Sequence, residues 1–280
     1  MGFHTKPNLY IRDVTLNVSD IKNSLLFYQD FLGFKVLEQG EHTAILTADG
    51  VTPLIKLNVP QDVTPKQPRT TGLYHFAILL PSRAVLGKFL LYLVKHQFEI
   101  GAADHLVSEA LYFSDPDGNG IEVYYDRPAD TWAWNNEQVA MTTDPLDGEG
   151  VLAAGDGLEW NGMPADTVMG HIHLHVSNLQ KASIFYKDVL GYQVVSEFGG
   201  QALFLSTGKY HHHVAINTWN GTGVPAENSV GLKEFAIDLP NEEYKQKVIH
   251  ALQARGLAFH EEDGILRTND PSGNKIAMYL

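Results

Sequence analysis

Histidine dominates the chemistry this sequence could perform. Six of the 13 histidines fall between His171 and His213. An imidazole moves protons near neutral pH and, when uncharged, ligates divalent metals. The run Gly170-His-Ile-His-Leu-His-Val alternates His with aliphatic residues, so His171 and His173 share one strand face, about 6.6 Å apart by strand rise. In Tyr210-His-His-His-Val the alternation turns His211 and His213 one way and His212 the other; the plain reading is a polar strand end, the functional one an acid–base group at His212 or, failing it, His213. The chain has no cysteine, which excludes disulfides, thiolate zinc sites and cysteine nucleophiles. A G-x-x-x-x-G-K-[ST] loop, a G-x-G-x-x-G turn after a strand and a G-x-S-x-G elbow are all missing, so phosphoryl transfer, nicotinamide chemistry and serine hydrolysis lose their usual sequence support.

The elements that must hold these histidines come from a repeat. Val14 to Val36 and Ile172 to Val194 match at nine of 23 positions at a constant offset of 158. Asp115-Pro-Asp-Gly-Asn-Gly-Ile-Glu is echoed by Asp270-Pro-Ser-Gly-Asn-Lys-Ile-Ala at an offset of 155. The chain therefore reads as two related halves, a first domain at 8–127 and a second at 168–280, each made of two strand–helix–three-strand units, with a linker at 128–167. In the first unit Val14, Leu16 and Val18 alternate as a half-buried strand. Ser19 or Asp20 can cap a helix whose Ile21, Leu25, Tyr28 and Leu32 share one face, and Gly33 follows as its stop. In the second unit Leu73–Leu80 is a strand, Ser82–His96 a helix, and Tyr112–Tyr125 a hairpin turning at Asp115-Pro-Asp-Gly-Asn-Gly. That turn imitates the opening of a calcium loop, but position twelve is Asp126 and the flanks are strand-like, so a tight turn is the better reading. The linker, with Trp132, Trp134 and Trp160, is longer than an ordinary connection and reads either as a tether or as a structured crossover with a short helix near Leu146–Ala154.

Composition narrows the class. Lys and Arg total 20 against 33 Asp and Glu, a formal charge of −13, which disfavours nucleic acid and anionic membrane partners. Apolar runs such as Phe76 to Leu80 are too short to span a bilayer. The first residues, Met1-Gly-Phe-His-Thr-Lys-Pro, lack the apolar stretch of a secretory leader, and a cytoplasmic protein is expected.

The four-unit pattern, carried by Gly170-His-Ile-His-Leu-His-Val, the two FY-x-D-x-LG helices, Leu73-Tyr-His-Phe-Ala-Ile and Asp115-Pro-Asp-Gly-Asn-Gly-Ile-Glu, resembles the vicinal oxygen chelate superfamily. That group holds extradiol dioxygenases, glyoxalase I and bleomycin- or fosfomycin-resistance proteins. Within it the chain looks most like the two-domain catechol 2,3-dioxygenase-like proteins. The resemblance implies an α+β fold of four βαβββ modules forming two incomplete mixed-sheet barrels, with a metal held between paired units by the first strand of each and by a last strand.

The usual extradiol pairing of units 3 and 4 gives His171 and Glu234, but Ala277 stands where the carboxylate belongs. Pairing units 1 and 2 gives Asp13, His75 and Glu122. Pairing units 2 and 3 gives His75, Glu122 and His171, the 2-His-1-carboxylate set of non-haem Fe(II) oxygenases. We expect that last pairing, within one chain or across a homodimer, with His173 as the substitute ligand for His171. The resemblance further implies His212 as acid–base, Tyr112 ten positions before Glu122 as a hydrogen-bonding partner, and His105 upstream as an active-site histidine, two residues closer to the tyrosine than the family spacing. The implied reaction is Fe(II)-dependent extradiol cleavage of a catechol- or hydroquinone-type aromatic diol by O2, with Mn(II) or another divalent metal as substitute. A glyoxalase-type lyase or isomerase is the first rival, although Lys56 and Ala215 occupy its extra carboxylate positions. A metal-free resistance protein that binds an aromatic ligand is the second.

Overall fold

The computed structural model describes residues 2–157 and 159–280. The first unit runs β1 (Tyr10–Asn17), α1 (Ile21–Leu25, continued as a wider π-helical turn over Leu26–Phe31), β2 (Lys35–Gln39), β3 (Thr43–Thr47) and β4 (Pro53–Asn58). The second runs β5 (Gly72–Leu79), α2 (Arg83–Lys95), β6 (Gly101–Asp104), β7 (Ser108–Ser114) and β8 (Gly120–Asp126). The connecting segment carries a two-strand ribbon, β9 (Trp134–Asn135) with β10 (Gln138–Val139), and α3 (Gly148–Ala154). The third unit runs β11 (Val168–His175), α4 (Leu179–Ile184, with a π-helical continuation over Phe185–Val189), β12 (Gln193–Phe198), β13 (Ala202–Ser206) and β14 (Val214–Asn217). The fourth runs β15 (Gly231–Asp238), α5 (Glu242–Ala254), β16 (Phe259–Glu262), β17 (Ile265–Asn269) and β18 (Lys275–Tyr279).

Local chemistry explains these boundaries. Asp20, Ser82, Asn178 and Asn241 each accept a backbone N–H three residues on, which satisfies donors that a helix start leaves open. Ile21, Leu25, Tyr28 and Leu32 are all buried, as their spacing predicts. Gly33 ends that helix at φ +85°, a conformation that costs glycine least. The β7–β8 turn is held by Asp115: one carboxylate oxygen accepts the backbone N–H of Asp117 and of Asn119, the other the Tyr28 hydroxyl and the Asn119 amide. With its oxygens committed to donors, Asp115 serves as a turn residue. Asp270 repeats the device with Ser272, Asn274 and Tyr186.

Among the described residues, the strands form two eight-stranded mixed sheets and the small ribbon. One sheet has the order β16-β17-β18-β15-β1-β4-β3-β2, units 4 and 1; the other has β12-β13-β14-β11-β5-β8-β7-β6, units 3 and 2. Each sheet thus draws one unit from each half of the chain. The seam of the second is the antiparallel pair β5 and β11, the pairing expected from the residue pattern. The connecting segment makes this possible and is tied down: the Arg83 guanidinium donates to Glu109 on β7 and to the Gly150 carbonyl in α3.

Alternation decides which side chains face the curl of the second sheet. Phe76, Ile78, Leu111, Phe113, Ile121, Val123, Ile172 and Leu174 enter the apolar core. The intervening residues, His75, Ala77, Tyr112, Glu122, Tyr124, His171 and His173, take the other face.

Candidate metal centre and active site

One row of cross-strand partners builds the site. His171 on β11 pairs with Ala77 on β5, Ala77 with Glu122 on β8, Glu122 with Tyr112 on β7, and Tyr112 with Gly101 on β6. His75, two residues before Ala77 and so on the same face, pairs with His173. The small Ala77 side chain leaves a space over which His171, His75 and Glu122 converge. Gly170 makes the approach possible, because a Cβ there would lie 2.0 Å from the buried Tyr124 hydroxyl.

The convergence is tight. His75 Nε2 and His171 Nε2 each lie 3.1 Å from the same oxygen, Glu122 Oε2. Donor atoms of the three residues all fall within 4.8 Å of one another, and all three side chains are buried. Two ligands at right angles about one metal, with bonds near 2.1 Å, stand roughly 3 Å apart, so this spacing suits adjacent corners of one coordination sphere. The sharper test is His75 Nε2: it is buried and has no hydrogen-bond partner despite its distance to Glu122, because the geometry is wrong for a hydrogen bond. His171 Nδ1 is likewise buried without a partner. A buried nitrogen left without a hydrogen-bond partner beside a carboxylate oxygen costs free energy unless a cation completes the site. The residues fit a divalent metal.

Electrostatics agree. Burial would raise the Glu122 carboxyl, but the adjoining imidazoles outweigh it and hold the group well below the usual carboxylate range. Burial lowers His171 to about 4 against the pull of Glu122. It likewise pushes His173 and His212 well below the ordinary histidine value, with neighbouring imidazoles adding to the effect. A neutral imidazole and an ionised carboxylate are the forms that bind metal.

A cavity of about 340 Å³ opens beside these residues, within the range of small-molecule sites. Tyr112, His105 and His212 line it, with Phe198, Phe204 and Trp219 as aromatic walls. His105 Nδ1 lies 2.6 Å from the Thr142 carbonyl, and a carbonyl only accepts, so Nδ1 carries the proton. His105 Nε2 then accepts the Tyr112 hydroxyl at 2.6 Å. The same hydroxyl lies against Glu122 and, like its burial, that charge raises it well above the ordinary phenol value. The His212 ring lies tilted against that of His171, 4.0 Å from centroid to centroid with 48° between the planes. The structure thus brings together His75, Glu122, His171, His212, Tyr112 and His105.

Comparison with known proteins fits this arrangement. The family model described as Glyoxalase/Bleomycin resistance protein/Dioxygenase superfamily matches residues 10–123. The chain is 44% identical over 271 residues to the Catechol-2,3-dioxygenase of Bacillus subtilis (strain 168), covering 95% of each chain. The chain belongs to the glyoxalase/bleomycin resistance protein/dioxygenase superfamily. Within that superfamily it is a catechol-2,3-dioxygenase-like protein. It is also 29% identical over 119 residues to the Biphenyl-2,3-diol 1,2-dioxygenase 3 of Rhodococcus globerulus, covering 40% of this chain and 62% of that one. Among solved structures, a Bacillus subtilis subsp. subtilis str. 168 protein superposes with a TM-score of 0.63 at 13% identity, covering 98% and 86% of the two chains. Glyoxalase I from Zea mays superposes with a TM-score of 0.59 at 17% identity, covering 96% and 92%. At those identities the likeness is one of fold.

The superfamily's second ligand position is accounted for in the other sheet as well. Asp13, the ligand that a pairing of units 1 and 2 would use, lies there and is held by Lys56, whose ammonium is 2.9 Å from Oδ1 and 3.0 Å from Oδ2. Glu234 is 3.4 Å from the Arg267 guanidinium. Side-chain cations occupy the carboxylates of units 1 and 4.

Several site residues escaped sequence reasoning. Phe198 ends β12, Phe204 is the middle residue of β13 and Trp219 lies in a loop, and their convergence depends on the curl of the sheet. Met141, Thr142 and Thr143 come from the connecting segment and line the cavity. The repeat does not reach that segment, so no equivalent position pointed to them. Asn217 donates to His173 Nε2 at 2.9 Å, which occupies the substitute ligand.

Proposed function

We propose that the chain is an Fe(II)-dependent extradiol dioxygenase that cleaves a catechol- or hydroquinone-type aromatic diol with O2, and that it works in the cytoplasm, as a cysteine-free chain suits. In this reading His75, Glu122 and His171 hold the metal and His212, Tyr112 and His105 are catalytic. The observation that carries it is the pair of Nε2 atoms trained at 3.1 Å on one Glu122 oxygen at the floor of an aromatic-walled cavity. Bound Fe(II) would supply the open positions at which diol and O2 meet, and would lower the pKa of the diol it holds.

The chain's own residues do the rest. Phe198, Phe204 and Trp219 embrace the ring and exclude water. His212, kept neutral by burial, takes the proton of a diol hydroxyl and later returns it. Tyr112, its hydroxyl proton directed to His105 Nε2, stands beside Glu122 and offers its oxygen to the substrate side of the cavity. Position 215, where a glyoxalase-type site would take its further carboxylate, is a buried Ala on β14 opposite His173, so His75, Glu122 and His171 would be the protein donors for a bound metal.

The test is oxygen uptake by full-length protein loaded anaerobically with Fe(II) and offered a series of catechols and hydroquinones. One O2 consumed per diol, with both atoms of 18O2 recovered in the ring-opened product, supports the reading. Metal-loaded protein that consumes no O2 with any diol, or that isomerises a thiol adduct without O2, overturns it.

A further inference from the structure

Behind the cavity a chain of three side chains runs from His212 to the C-terminal end of β8. His212 Nδ1 lies 2.8 Å from His211 Nδ1. His211 Nε2 lies 2.7 Å from Asp126 Oδ1. His211 and His212 are buried, and Asp126, at the last position of β8, retains 18% side-chain exposure. The Tyr124 hydroxyl sits 2.6 Å from that of Tyr210, and burial, together with the Asp126 charge, raises both phenols.

The direction of each bond follows from what its partners can do. A carboxylate only accepts, so the His211–Asp126 bond requires a proton on His211 Nε2. A neutral imidazole carries one proton, so His211 Nδ1 is then a lone pair and can only accept. The 2.8 Å contact between the two Nδ1 atoms therefore requires the proton on His212 Nδ1. That leaves His212 Nε2 without a proton, on the ring that lines the cavity.

We propose that Asp126 and His211 are positioning residues that lock His212 in the tautomer a general base needs, with Nε2 free to accept a proton. This rests on the reading of His212 as the base of the proposed reaction. When the diol transfers a proton, its O–H bond breaks, the electron pair stays on oxygen, and an N–H bond forms at His212 Nε2. The resulting imidazolium keeps its Nδ1–H on His211, which is backed by the Asp126 charge. The arrangement has the logic of a carboxylate orienting a catalytic histidine, with one imidazole interposed.

The lock can be read without turnover. The full chain, loaded with diamagnetic Zn(II) and labelled with 15N-histidine, is examined by 15N NMR, with His212 assigned by its loss in His212→Gln. A lone-pair nitrogen at Nε2 and a protonated Nδ1 are expected. Asp126→Asn, whose amide can turn either oxygen or NH2 to His211, should mix the two tautomers, and His211→Phe, which keeps a ring of similar size, should do the same. In the Fe(II)-loaded enzyme both variants should keep metal content and KM within about twofold while kcat falls roughly 10²-fold. A wild-type His212 protonated at Nε2 overturns the proposal, as does an Asp126→Asn variant with unchanged tautomer and unchanged kcat. If the wild type turns over no diol, the proposed reaction fails, while the NMR spectra still decide whether the lock exists.

Discussion

The Tyr112 hydroxyl and His105 Nε2 lie 2.6 Å apart, with the direction of their hydrogen bond set by the Thr142 carbonyl behind the imidazole. The two side chains therefore act as one unit. Tyr112→Phe and His105→Ala should each lower kcat about 10- to 100-fold with little loss of stability. The double variant should cost scarcely more than either alone, a non-additivity that steady-state kinetics on all three proteins will reveal. Strict additivity would mean that the residues act separately.

Glu122 is the shared neighbour of both candidate ligand histidines. Glu122→Ala should abolish bound metal, measured by elemental mass spectrometry, and activity with it. Metal addition should raise the wild-type melting temperature, since a ligand at 100 times its dissociation constant contributes about 2.7 kcal/mol. The same addition should leave Glu122→Ala unmoved. His212→Ala should behave differently, keeping its metal and losing turnover.

Acid should destabilise the metal-free protein over a defined window. Burial lowers His171 from its ordinary 6.5 to about 4. Between those values the unfolded chain binds a proton that the folded one refuses, so stability falls as pH drops from about 6.5 to about 4. For this group alone the loss is about 3 kcal/mol, and His173, His212 and His213, all lowered by burial, act in the same direction. Urea titrations at pH 7.5, 6 and 5 should show the unfolding midpoint falling steadily. A midpoint flat across this range would contradict the burial of neutral imidazoles.

No Lys or Arg is among the described residues that line the cavity, whereas Phe198, Phe204, Trp219 and Met141 do, with Glu197 exposed among them. A carboxylate on the substrate ring would lose its hydration there and find no cationic side chain. Alkyl-substituted catechols should exceed carboxylate-bearing ones in kcat/KM by at least about tenfold. Glu197→Lys should narrow the gap, and a wild-type preference for the carboxylate would show that the ring binds elsewhere.

Gly170 offers a purely steric check. Its missing Cβ would stand 2.0 Å from the Tyr124 hydroxyl, which is pinned by Tyr210. Gly170→Ala should destabilise the fold by about 1–3 kcal/mol and displace His171, lowering metal affinity. Thermal melts and metal titration of the variant test both effects together.

Much of this was legible in the residues. Periodicity and turn chemistry marked the strands and helices, because alternating side chains and capping residues act locally. The repeat supplied equivalent positions, and the gaps at Lys56, Ala215 and Ala277 pointed to units 2 and 3 as the complementary pair. What stayed hidden was nonlocal. Thr142 reaches His105 from the connecting segment, Trp219 reaches His173 from a loop, and Asp126 meets His211 across 85 residues of sequence. No periodicity carries such contacts; they depend on how far the sheet curls and where the crossover settles.

The interleaving of units gives the molecule an order of assembly. Strands β5 to β14 lie in the middle of the chain, so the catalytic sheet is complete once residue 217 has left the ribosome. Strand β1 must wait for β15, which begins at Gly231, 221 residues after Tyr10, before its open edge is covered. A growing chain therefore carries a finished active-site sheet beside a half-built one with an exposed strand edge, the kind of edge that recruits stray partners. Truncations within unit 4 should accordingly harm solubility before they harm the chemistry, because unit 4 closes the edge that unit 1 leaves open.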